Sequence, residues 1–563
     1  MNWSTACQDW ESRIVKGESL ITFPPLFPQE ADRALSIFRE LRFKNLQGRP
    51  TLGDVGRQWL FDFVATIFGA YDSDAGRRLI QEFFLLISKK NSKSSSAAAV
   101  MITALLLNWR ESAEYLILAP TVEVAANSFS HARDMVRVDD ELDALLEVRE
   151  YQRLITHRNT GATLKIVAAE SETVSGKIAT GILVDELHEF GKRENAENML
   201  REATGGLMSR PEGFVIYLTT QSDKPPAGIF KKKLDYARDV RDGKIEDKCF
   251  LPVMYEFPKQ IIDEKAYFNP KFFYMTNPNL GASVDEATIN REFKKAEHDG
   301  IDSMCGFAAK HLNVEIGLAL GSNRWAGADF WEAASGKVTL DILLEQSEVV
   351  VIGVDGGGLD DLLGLAIIGR NAETRDWLLW TRAWCNPVAL ERRKSEAPRY
   401  RDFEKDGDLV IVNRIGEDID QIGDIITKCD DSGLLDRIGV DPYGIGDIVA
   451  EAQARGIEFE RTVNVPQGWR LNGAVLTTER RLAEKTLVHG GQRLMSWCVG
   501  NAKSEIKGNN VYITKQASGT GKIDPLMATF NAVALMAMNP EARCKKSIYE
   551  GLTTEQIIER MAV

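Results

Sequence analysis

Short apolar runs alternate with amphipathic segments from about residue 50 to about residue 255. Each run has the length of a strand that is buried on both faces, and each intervening segment is long enough for a helix. Strands that alternate with helices pair in parallel, in a sheet that helices cover on both faces. The runs are FFLLI (83–87), YLILAP (115–120), LKIVAA (164–169), GILVDE (181–186) and GFVIYLTT (213–220). This part of the chain is therefore predicted to be a doubly wound α/β domain.

A second series of apolar runs starts at VVVIGVDGGG (349–358) and reaches the apolar helix DPLMATFNAVALMAM (524–538). A second strand follows the first in hairpin fashion, and we predict another α/β domain here. Residues 256–335 contain long polar helical patterns without a strong strand, which indicates a linker or a small helical region. A helical segment over 1–50 and a polar tail over 546–563 complete the expected organisation.

Composition argues against several classes of protein. The 563 residues exceed what one hydrophobic core supports, so two or three domains are expected. A net charge of −13 argues against a protein that permanently coats nucleic acid. Seven scattered cysteines without a CxxC pair favour a reducing compartment over a disulfide framework or a zinc finger. Neither a secretory signal nor an apolar run of about 18 residues occurs, so we expect no membrane contact.

The segment ISKKNSKSSSAAAV (87–100) has the outline of a phosphate-binding loop between a strand and a helix. In such a loop the helix N-terminus faces the phosphates, a lysine reaches them and the next hydroxyl binds Mg²⁺. Ile87 and Ser92 replace the two glycines of the G-x-x-x-x-G-K-[ST] pattern, and a solvated lysine at a serine-capped helix start is the alternative interpretation. The predicted nucleotide-binding residues of the loop are Lys90, Asn91, Ser92, Lys93 and Ser94.

Two further strand ends carry the polar groups that a nucleotide site needs. In GILVDELHEF a buried strand runs into Asp185 and Glu186, at the edge where ligands bind in open α/β sheets. Asp185 is predicted to hold Mg²⁺ through water, and Glu186 to orient and deprotonate the attacking water. Thr219 and Thr220 end the next strand, where their hydroxyls are placed to sense the γ-phosphate. Three strand ends in the correct order favour an ATP site with Lys93 as its lysine.

Three separated aspartates in the second half indicate a different chemistry. Asp355 and Asp441 each end an apolar strand, and Asp524 stands at the start of a buried helix. Carboxylates that converge in this way bind two Mg²⁺ or Mn²⁺ ions, as in ribonuclease-H-like nucleases that hydrolyse phosphodiesters. Asp360 and Asp361 are near enough to support the metals but rank below the other three. The alternative is that each aspartate only begins a turn or caps a helix.

Two other functions are open at this point. Asp185-Glu186-Leu187-His188 matches the DExH box of helicases, although a helicase should carry a second motor domain with its own arginine motif. Ser92 also fits a scaffold or DNA-docking subunit with a decayed loop, which would not hydrolyse ATP. The three separated carboxylates in the second half favour the nuclease over the helicase.

Over roughly residues 50–540 the chain resembles the large terminase subunit of tailed bacteriophages, encoded by a phage or a prophage. The resemblance rests on the loop KNSKS, on APTVEVA (119–125), on SGKIATGILVDELHEF (175–190), on LTTQS (218–222) and on the order of the three aspartates. It implies a P-loop (RecA/ASCE-like) ATPase domain over 51–255 and an RNase H-like nuclease domain over 336–545.

What the resemblance implies for function is a motor that uses ATP with Mg²⁺ to move double-stranded DNA into the procapsid. A nuclease with two Mg²⁺ or Mn²⁺ ions would cut the concatemeric DNA. The implied partners are the portal protein, a small terminase subunit and further copies of the chain in a pentameric ring. The implied location is the host bacterial cytoplasm, and the protein is not expected in the mature virion.

The resemblance also implies groups that complete the ATP site. Arg57-Gln58-Trp59 is similar to the segment that stacks on or reads adenine in such motors. A neighbouring subunit would supply an arginine, for which the sequence leaves five candidates: Arg133, Arg149, Arg153, Arg201 and Arg210.

Overall fold

The structure is a computed structural model that describes residues 3–169, 178–193, 196–315, 325–441, 446–507, 510–515 and 521–543. The chain divides into two compact units, Met1–Ile316 and Gly317–Val563. The polar tail predicted over 546–563 lies outside the described residues, as does part of the SGKIATGILVDELHEF motif. The five segment boundaries expected from the sequence are finer than this division and stay a prediction.

The first unit is built on an eight-stranded sheet with the order β10-β3-β9-β8-β4-β7-β6-β5. Its strands, together with the small β1–β2 ribbon, are β1 (Tyr71–Asp72), β2 (Arg77–Arg78), β3 (Glu82–Leu86), β4 (Glu114–Ala119), β5 (Leu146–Arg149), β6 (Leu154–His157), β7 (Thr163–Ala168), β8 (Ala179–Val184), β9 (Phe214–Thr219) and β10 (Phe250–Met254). The six strands from β10 to β7 are parallel, and β6 and β5 continue the sheet antiparallel. Every residue of β8 and β9 is buried, which explains their continuous apolar sequence.

Helices cover this sheet as the alternating sequence pattern predicts. They are α1 (Trp10–Lys16), α2 (Pro28–Glu40), α3 (Leu52–Val55), α4 (Gln58–Phe68), α5 (Lys93–Leu107), α6 (Val122–Arg137), α7 (Asp140–Leu145), α8 (Leu187–Phe190), α9 (Ala196–Gly205), α10 (Gly228–Arg241), α11 (Lys259–Asp263), α12 (Glu286–Asp299) and α13 (Ile301–Leu312). The linker or small helical region expected over 256–335 contains no strand in the described chain, but its residues 256–315 belong to the first compact unit and 325–335 to the second.

The second unit has a mixed sheet with the order β14-β13-β12-β11-β15-β16, and β17 also pairs with β13. Its strands, with the β18–β19 hairpin, are β11 (Ser347–Gly356), β12 (Leu362–Asn371), β13 (Trp377–Cys385), β14 (Leu409–Ile411), β15 (Leu435–Val440), β16 (Thr462–Asn464), β17 (Leu487–His489), β18 (Ala502–Lys507) and β19 (Asn510–Lys515). Strands β11, β12 and β13 form an antiparallel meander, and β15 joins β11 in parallel. The predicted hairpin after VVVIGVDGGG is therefore confirmed.

The helices of the second unit cover both faces of its sheet. They are α14 (Leu340–Gln346), α15 (Pro387–Arg392), α16 (Ala397–Lys405), α17 (Glu417–Asp431), α18 (Gly446–Ala454), α19 (Asn472–Ala483), α20 (Arg493–Asn501) and α21 (Asp524–Met536). Val349 and Val351 share one core with α21, whereas Val350, Ile352 and Val354 pack with α17 and α18. This alternation follows from the two-residue period of a strand.

The apolar helix α21 lies unusually close to β11. A Cβ on Gly353 would lie 2.0 Å from the carbonyl oxygen of Ala528, so only glycine allows this approach. The close contact fixes the start of α21, and with it Asp524, against the end of β11.

None of the helices within the described ranges has the length and apolar character needed to cross a lipid bilayer.

Gly353→Ala should lower the free energy of unfolding of the second unit by about 1–3 kcal/mol, because the added methyl group forces α21 away from the sheet. Urea denaturation of the full chain would measure the change. Gly473→Ala is the matched control, since a Cβ there meets no atom within 4 Å. Equal stability of the two variants would contradict the close packing of α21.

Candidate functional site

The phosphate-binding loop predicted from the sequence lies between β3 and α5, at the C-terminal edge of the parallel strands. Helix α5 begins at Lys93, and the residue before it, Ser92, has φ 60° and ψ 25°. Lys90 also has positive φ, at 72°. Residues with a Cβ seldom adopt this left-handed conformation, which glycine adopts without strain. Ser92 thus keeps the backbone shape of the missing glycine, at a conformational cost of about 1 kcal/mol.

Lys93 is almost fully buried, as expected for a lysine whose ammonium group binds a phosphate instead of pointing into solvent. Its side chain is 6% exposed, and its Nζ donates to the carbonyl oxygen of Ile87 at 3.4 Å. Burial lowers the pKa of this ammonium group, and the nearby carboxylates of Glu186 and Asp185 partly oppose that shift. A solvated surface lysine, which was the alternative interpretation, does not fit this burial. A bound anion would restore the interactions that the ammonium group loses in the interior.

Asp185 is fully buried, and its two carboxylate oxygens have different surroundings. Oδ2 accepts hydrogen bonds from Ser94 Oγ at 3.3 Å and from Ser128 Oγ at 3.0 Å. Oδ1 has no hydrogen-bond partner among the residues that the structure describes. Burial raises the pKa of Asp185, and a divalent cation would favour its ionised form instead. An oxygen without a partner beside a serine hydroxyl suits Mg²⁺, which prefers oxygen ligands.

Ser128 is a member of this site that the sequence did not single out. It lies on α6, which begins within APTVEVA, and it reaches Asp185 because β4 pairs with β8 in the sheet. Serine is too common in helices for the sequence alone to indicate this role.

Glu186 and the two threonines lie on adjacent strand ends, because β8 pairs with β9 in parallel. Glu186 has a left-handed backbone with φ 53°, and its side chain is 24% exposed. The threonine hydroxyls lie 3.4 Å (Thr219) and 3.5 Å (Thr220) from Nδ1 of His188. His188 therefore contacts both strand ends, a position that reasoning from the sequence missed although the DELH motif contains it.

Asn91 points away from the open side of the loop. Its side chain is fully buried and donates to Ser88 O at 3.1 Å and to Asn277 Oδ1 at 2.9 Å. The N–H of Asn279 donates back to Asn91 Oδ1 at 3.0 Å. These bonds attach the loop to the segment that follows β10. A side-chain contact from Asn91 to a nucleotide has no support here, and only its backbone is placed to contribute.

The segment Arg57-Gln58-Trp59 lines a cavity of about 330 Å³, which Tyr255 and Tyr274 also line. Trp59 Nε1 donates to Asn279 Oδ1 at 2.8 Å, and the Trp59 ring meets Tyr255 edge to face at 5.9 Å. Because Asn279 also bonds Asn91, this aromatic cavity is connected to the phosphate-binding loop through two hydrogen bonds.

The five arginines considered from the sequence differ in their contacts. Arg133 pairs with Asp134, Arg149 pairs with Glu147, and Arg201 donates to Asn198. Arg153 has φ 48°, and its Nη1 atom is buried without a hydrogen-bond partner in the described chain, as is Nε of Arg210. These contacts do not select one arginine.

The three aspartates of the second unit come from neighbouring elements at one edge of its sheet. Val354 pairs with Val440, so Asp355 and Asp441 are the next residues on two adjacent parallel strands. Asp355 also pairs with Gly364, where a Cβ would lie 2.7 Å from the carbonyl carbon of Asp524. Because paired residues of antiparallel strands share a face, Asp355 lies on the face that the start of α21 covers.

Basic side chains engage the remaining acidic residues of the glycine-rich turn after β11. Arg393 Nε donates to Asp360 Oδ1 at 3.0 Å, while the buried Lys522 ammonium group pairs with Asp361 and donates to Asp360 O at 2.8 Å. Ion pairing of this kind suits residues that hold the turn in place.

Within the described ranges, no group of three or more His, Cys, Asp or Glu side chains is arranged to hold a metal ion. The expected metal binding by Asp355, Asp441 and Asp524 therefore stays a prediction. It has the support of the donor chemistry, since carboxylates are the ligands that Mg²⁺ and Mn²⁺ prefer. It also has the support of burial, since Asp355 and Asp524 are only 9% and 3% exposed.

Together, a parallel sheet with a buried loop lysine and a second sheet with three edge aspartates define a nucleotide-driven motor joined to a nuclease-like unit. Family models agree with this class. The model of the terminase large subunit ATPase domain matches residues 59–238, and that of the terminase large subunit endonuclease domain matches residues 244–540. The chain belongs to the terminase large subunit family. It is an ATPase and an endonuclease, and it serves as a motor and nuclease of viral DNA packaging.

Solved structures include similar chains. The large terminase of bacteriophage HK97 is 20% identical, with 90% of this chain and 99% of that chain covered and a TM-score of 0.48. The large terminase of a thermophilic bacteriophage in complex with ATP-γ-S is 12% identical, with 90% and 98% covered and a TM-score of 0.30. The large terminase nuclease of the thermophilic phage G20c with bound magnesium is 14% identical, with 33% and 80% covered and a TM-score of 0.23. No curated protein matches the chain.

The helicase alternative is not supported. A helicase of the DExH type would need a second parallel motor sheet, whereas the second unit has an antiparallel meander at the centre of its sheet. The predicted α/β fold class, with an ATPase domain followed by a nuclease domain, is confirmed.

Ser92→Gly should raise the free energy of unfolding of the first unit by about 0.5–1 kcal/mol, since relief of the left-handed strain exceeds the added entropy of the unfolded chain. We also expect tighter ATP binding or faster turnover, because the side chain no longer crowds the phosphates. Thermal unfolding and steady-state ATPase assays measure both effects.

Ser96→Gly, in the regular part of α5, provides the control. There the same substitution should destabilise the protein by about 0.5–1 kcal/mol, because glycine weakens a helix interior. Equal effects at the two serines would mean that the loop tolerates Ser92 without strain.

Proposed function

We propose that the chain binds ATP with Mg²⁺ at the loop after β3 and uses its hydrolysis to move double-stranded DNA into a procapsid. The second unit would cut the concatemeric DNA at the edge formed by Asp355, Asp441 and Asp524. The observation that carries the proposal is the buried Asp185, whose Oδ1 atom has no partner in the described chain although Ser94 and Ser128 bind Oδ2. Ionisation of a buried carboxyl group of this kind is costly, and a cation beside it offsets that cost.

Each residue of the loop has a defined part in nucleotide binding. Lys93 would contact the β- and γ-phosphates from its buried position, and the backbone from Lys90 to Ser92 would surround them. Ser94 and Asp185 would hold the Mg²⁺ ion, which neutralises phosphate charge when it is bound. The cavity beside Trp59 has the aromatic lining and the connection to the loop that an adenine base requires. Thr220 would report the state of the γ-phosphate.

Glu186 would act on the water that attacks the γ-phosphate. Its carboxylate is at the end of β8, next to Asp185, where it can accept a proton and orient the water. The coulombic effect of Glu186 on the pKa values of both Lys93 and Asp185 supports a single site that contains all three groups.

The nuclease edge would work through its own carboxylates. Asp355, Asp441 and Asp524 would hold two Mg²⁺ or Mn²⁺ ions, which stabilise the attacking and leaving oxygens of phosphodiester hydrolysis when they are bound. Lys522 and Arg393 would keep the turn after β11 in place through Asp360 and Asp361.

Membership of the family implies DNA and capsid packaging partners. More specifically, we propose that the chain works as a pentameric ring on the portal protein, with a small terminase subunit that selects viral DNA. Work on a procapsid would take place in the host bacterial cytoplasm, and the protein would leave the particle before the virion matures.

Lys93→Ala should abolish ATP hydrolysis and DNA packaging, because the phosphates lose their buried cation. Glu186→Gln should still bind ATP but hydrolyse it at least about 100-fold more slowly, because an amide cannot accept the proton of the water. Phosphate release and binding of a fluorescent ATP analogue measure the two steps. Both variants should retain metal-dependent nicking of plasmid DNA, which also serves as the folding control. ATP hydrolysis by Glu186→Gln at the wild-type rate would show that Glu186 is not the general base.

Replacement of Asp355, Asp441 or Asp524 by alanine should remove cutting and leave ATP hydrolysis intact, since these residues lie in the other compact unit. Plasmid nicking with Mn²⁺ and without ATP measures the first effect. Mn²⁺ should also raise the unfolding temperature of the wild-type chain more than that of the variants. Asp360→Ala is the matched control and should reduce cutting less, because Asp360 binds Arg393. Cutting that survives loss of both Asp355 and Asp441 would refute the nuclease assignment.

A further inference from the structure

His188 lies between the two strand ends of the ATP site. It belongs to α8, is 8% exposed, and its backbone N–H donates to Thr219 Oγ1 at 3.0 Å. Its ring atom Nδ1 lies 3.3 Å from Glu186 Oε2, which is within ion-pair distance, although Oε2 is buried and accepts no hydrogen bond within the described chain. The same atom lies 3.4 Å from Thr219 Oγ1 and 3.5 Å from Thr220 Oγ1. One ring nitrogen is therefore near three oxygens, from the end of β8 and from the end of β9.

The rest of the ring is held from other directions. Nε2 lies 3.2 Å from Glu189 Oε1, and the ring packs edge to face on Phe230 with centroids 6.3 Å apart. The hydrogen bond from His188 is the main cause that lowers the pKa of Glu189 to about 2. Glu189 is fixed in turn by Lys192, whose Nζ lies 2.8 Å away. The imidazole thus has a defined orientation, which a side chain needs if it is to orient another group.

Glu186 needs such support. Its side chain has three rotatable bonds and is a quarter exposed, so the chain alone does not fix its carboxylate. A general base must be held within hydrogen-bond distance of its water, and an error of about 1 Å reduces the rate about 100-fold.

We propose that His188 is a positioning residue for ATP hydrolysis, which holds the Glu186 carboxylate through Nδ1 and links its orientation to Thr219 and Thr220. This inference rests on the proposed role of Glu186 as the base. His188 contacts no phosphate in this arrangement and acts only through Glu186.

The order of the strands indicates how the contacts of His188 can connect the phosphate-binding loop to Glu186. Strand β9 lies between β3, which leads into the phosphate-binding loop, and β8, which leads into Asp185 and Glu186. The carbonyl oxygen of Thr219 accepts a hydrogen bond from the N–H of Ile87 at 3.1 Å, at the start of the loop. Thr219 therefore contacts the loop through its backbone and His188 through its hydroxyl. A movement of the loop on loss of the γ-phosphate would be transmitted from Thr219 to His188, and from His188 to the Glu186 carboxylate.

Three substitutions of His188 in the full chain test the proposal by steady-state ATP hydrolysis. Asparagine places its amide nitrogen near the position of Nδ1, glutamine places it near Nε2, and leucine offers no hydrogen bond. His188→Leu and His188→Gln should lower kcat by about 10- to 100-fold, with KM and the Kd of a fluorescent ATP analogue unchanged. His188→Asn should keep kcat within about threefold of the wild-type value. Unchanged analogue binding shows in each case that the site is folded.

Glu189→Gln is the matched control, because its amide oxygen can still accept from Nε2 while the charge beside the ring is removed, so kcat should stay within about threefold. Equal kcat values for the asparagine and glutamine variants, or a wild-type kcat for His188→Leu, would overturn the positioning role. If His188→Leu fails to fold, the difference in kcat between His188→Asn and His188→Gln tests the positioning role, since both variants keep a polar group at this site.

Glu186→Gln separates this inference from the proposed function. An active Glu186→Gln variant would refute the base itself. An inactive Glu186→Gln variant beside a fully active His188→Leu variant would refute only the role of His188.

Discussion

The buried carboxylate of Asp185 is the interaction on which the nucleotide edge of the first unit depends. It joins three elements that are distant in sequence, because Ser94 lies in the first turn of α5, Ser128 lies on α6 and Asp185 directly follows β8. A carboxylate with an oxygen that lacks a partner in the described chain is unfavourable in the interior, and the neighbouring Glu186 adds charge of the same sign. Lys93 supplies the opposing charge, but burial weakens its own charged state. The site therefore holds charges that a bound metal–nucleotide complex would balance. Binding of the nucleotide would in this way stabilise the motor domain.

Backbone conformation supports this edge as much as charge does. Lys90, Ser92 and Glu186 all have positive φ, and all three lie in turns that leave a strand at this edge. Non-glycine residues in this conformation persist only where the surrounding structure determines them. Here the surroundings are the Asn91–Asn277–Asn279 hydrogen bonds on one side of the loop and the His188 contacts on the other. Neighbouring polar side chains thus hold the strained backbone at the phosphate loop and at the base.

Packing and strand pairing in the second unit place its three aspartates on neighbouring elements. Gly353 lets α21 approach β11 so closely that Asp524 lies beside the end of that strand, and the parallel pairing of β11 with β15 places Asp441 next to Asp355. Lys522, just before α21, and Arg393 hold the glycine-rich turn through Asp360 and Asp361. Rigid backbone thus carries the carboxylates, and ion pairs hold the intervening turn in place. This division suits a site whose acidic groups would otherwise repel each other.

The sequence by itself determined the fold class, the order of the two catalytic units and the chemical groups at the strand ends. It could do so because apolar periodicity reports burial on both faces of a strand, and because a polar residue directly after such a strand must lie at a sheet edge. Only the tertiary structure decided which groups share a site. Ser128, His188 and Lys522 reach their partners through strand order and helix packing, and no local pattern marks a serine, a histidine or a lysine for such contacts. The structure also decided that Asn91 faces the protein and that Ser92 adopts the glycine conformation, since backbone angles at a turn depend on the hydrogen bonds around it.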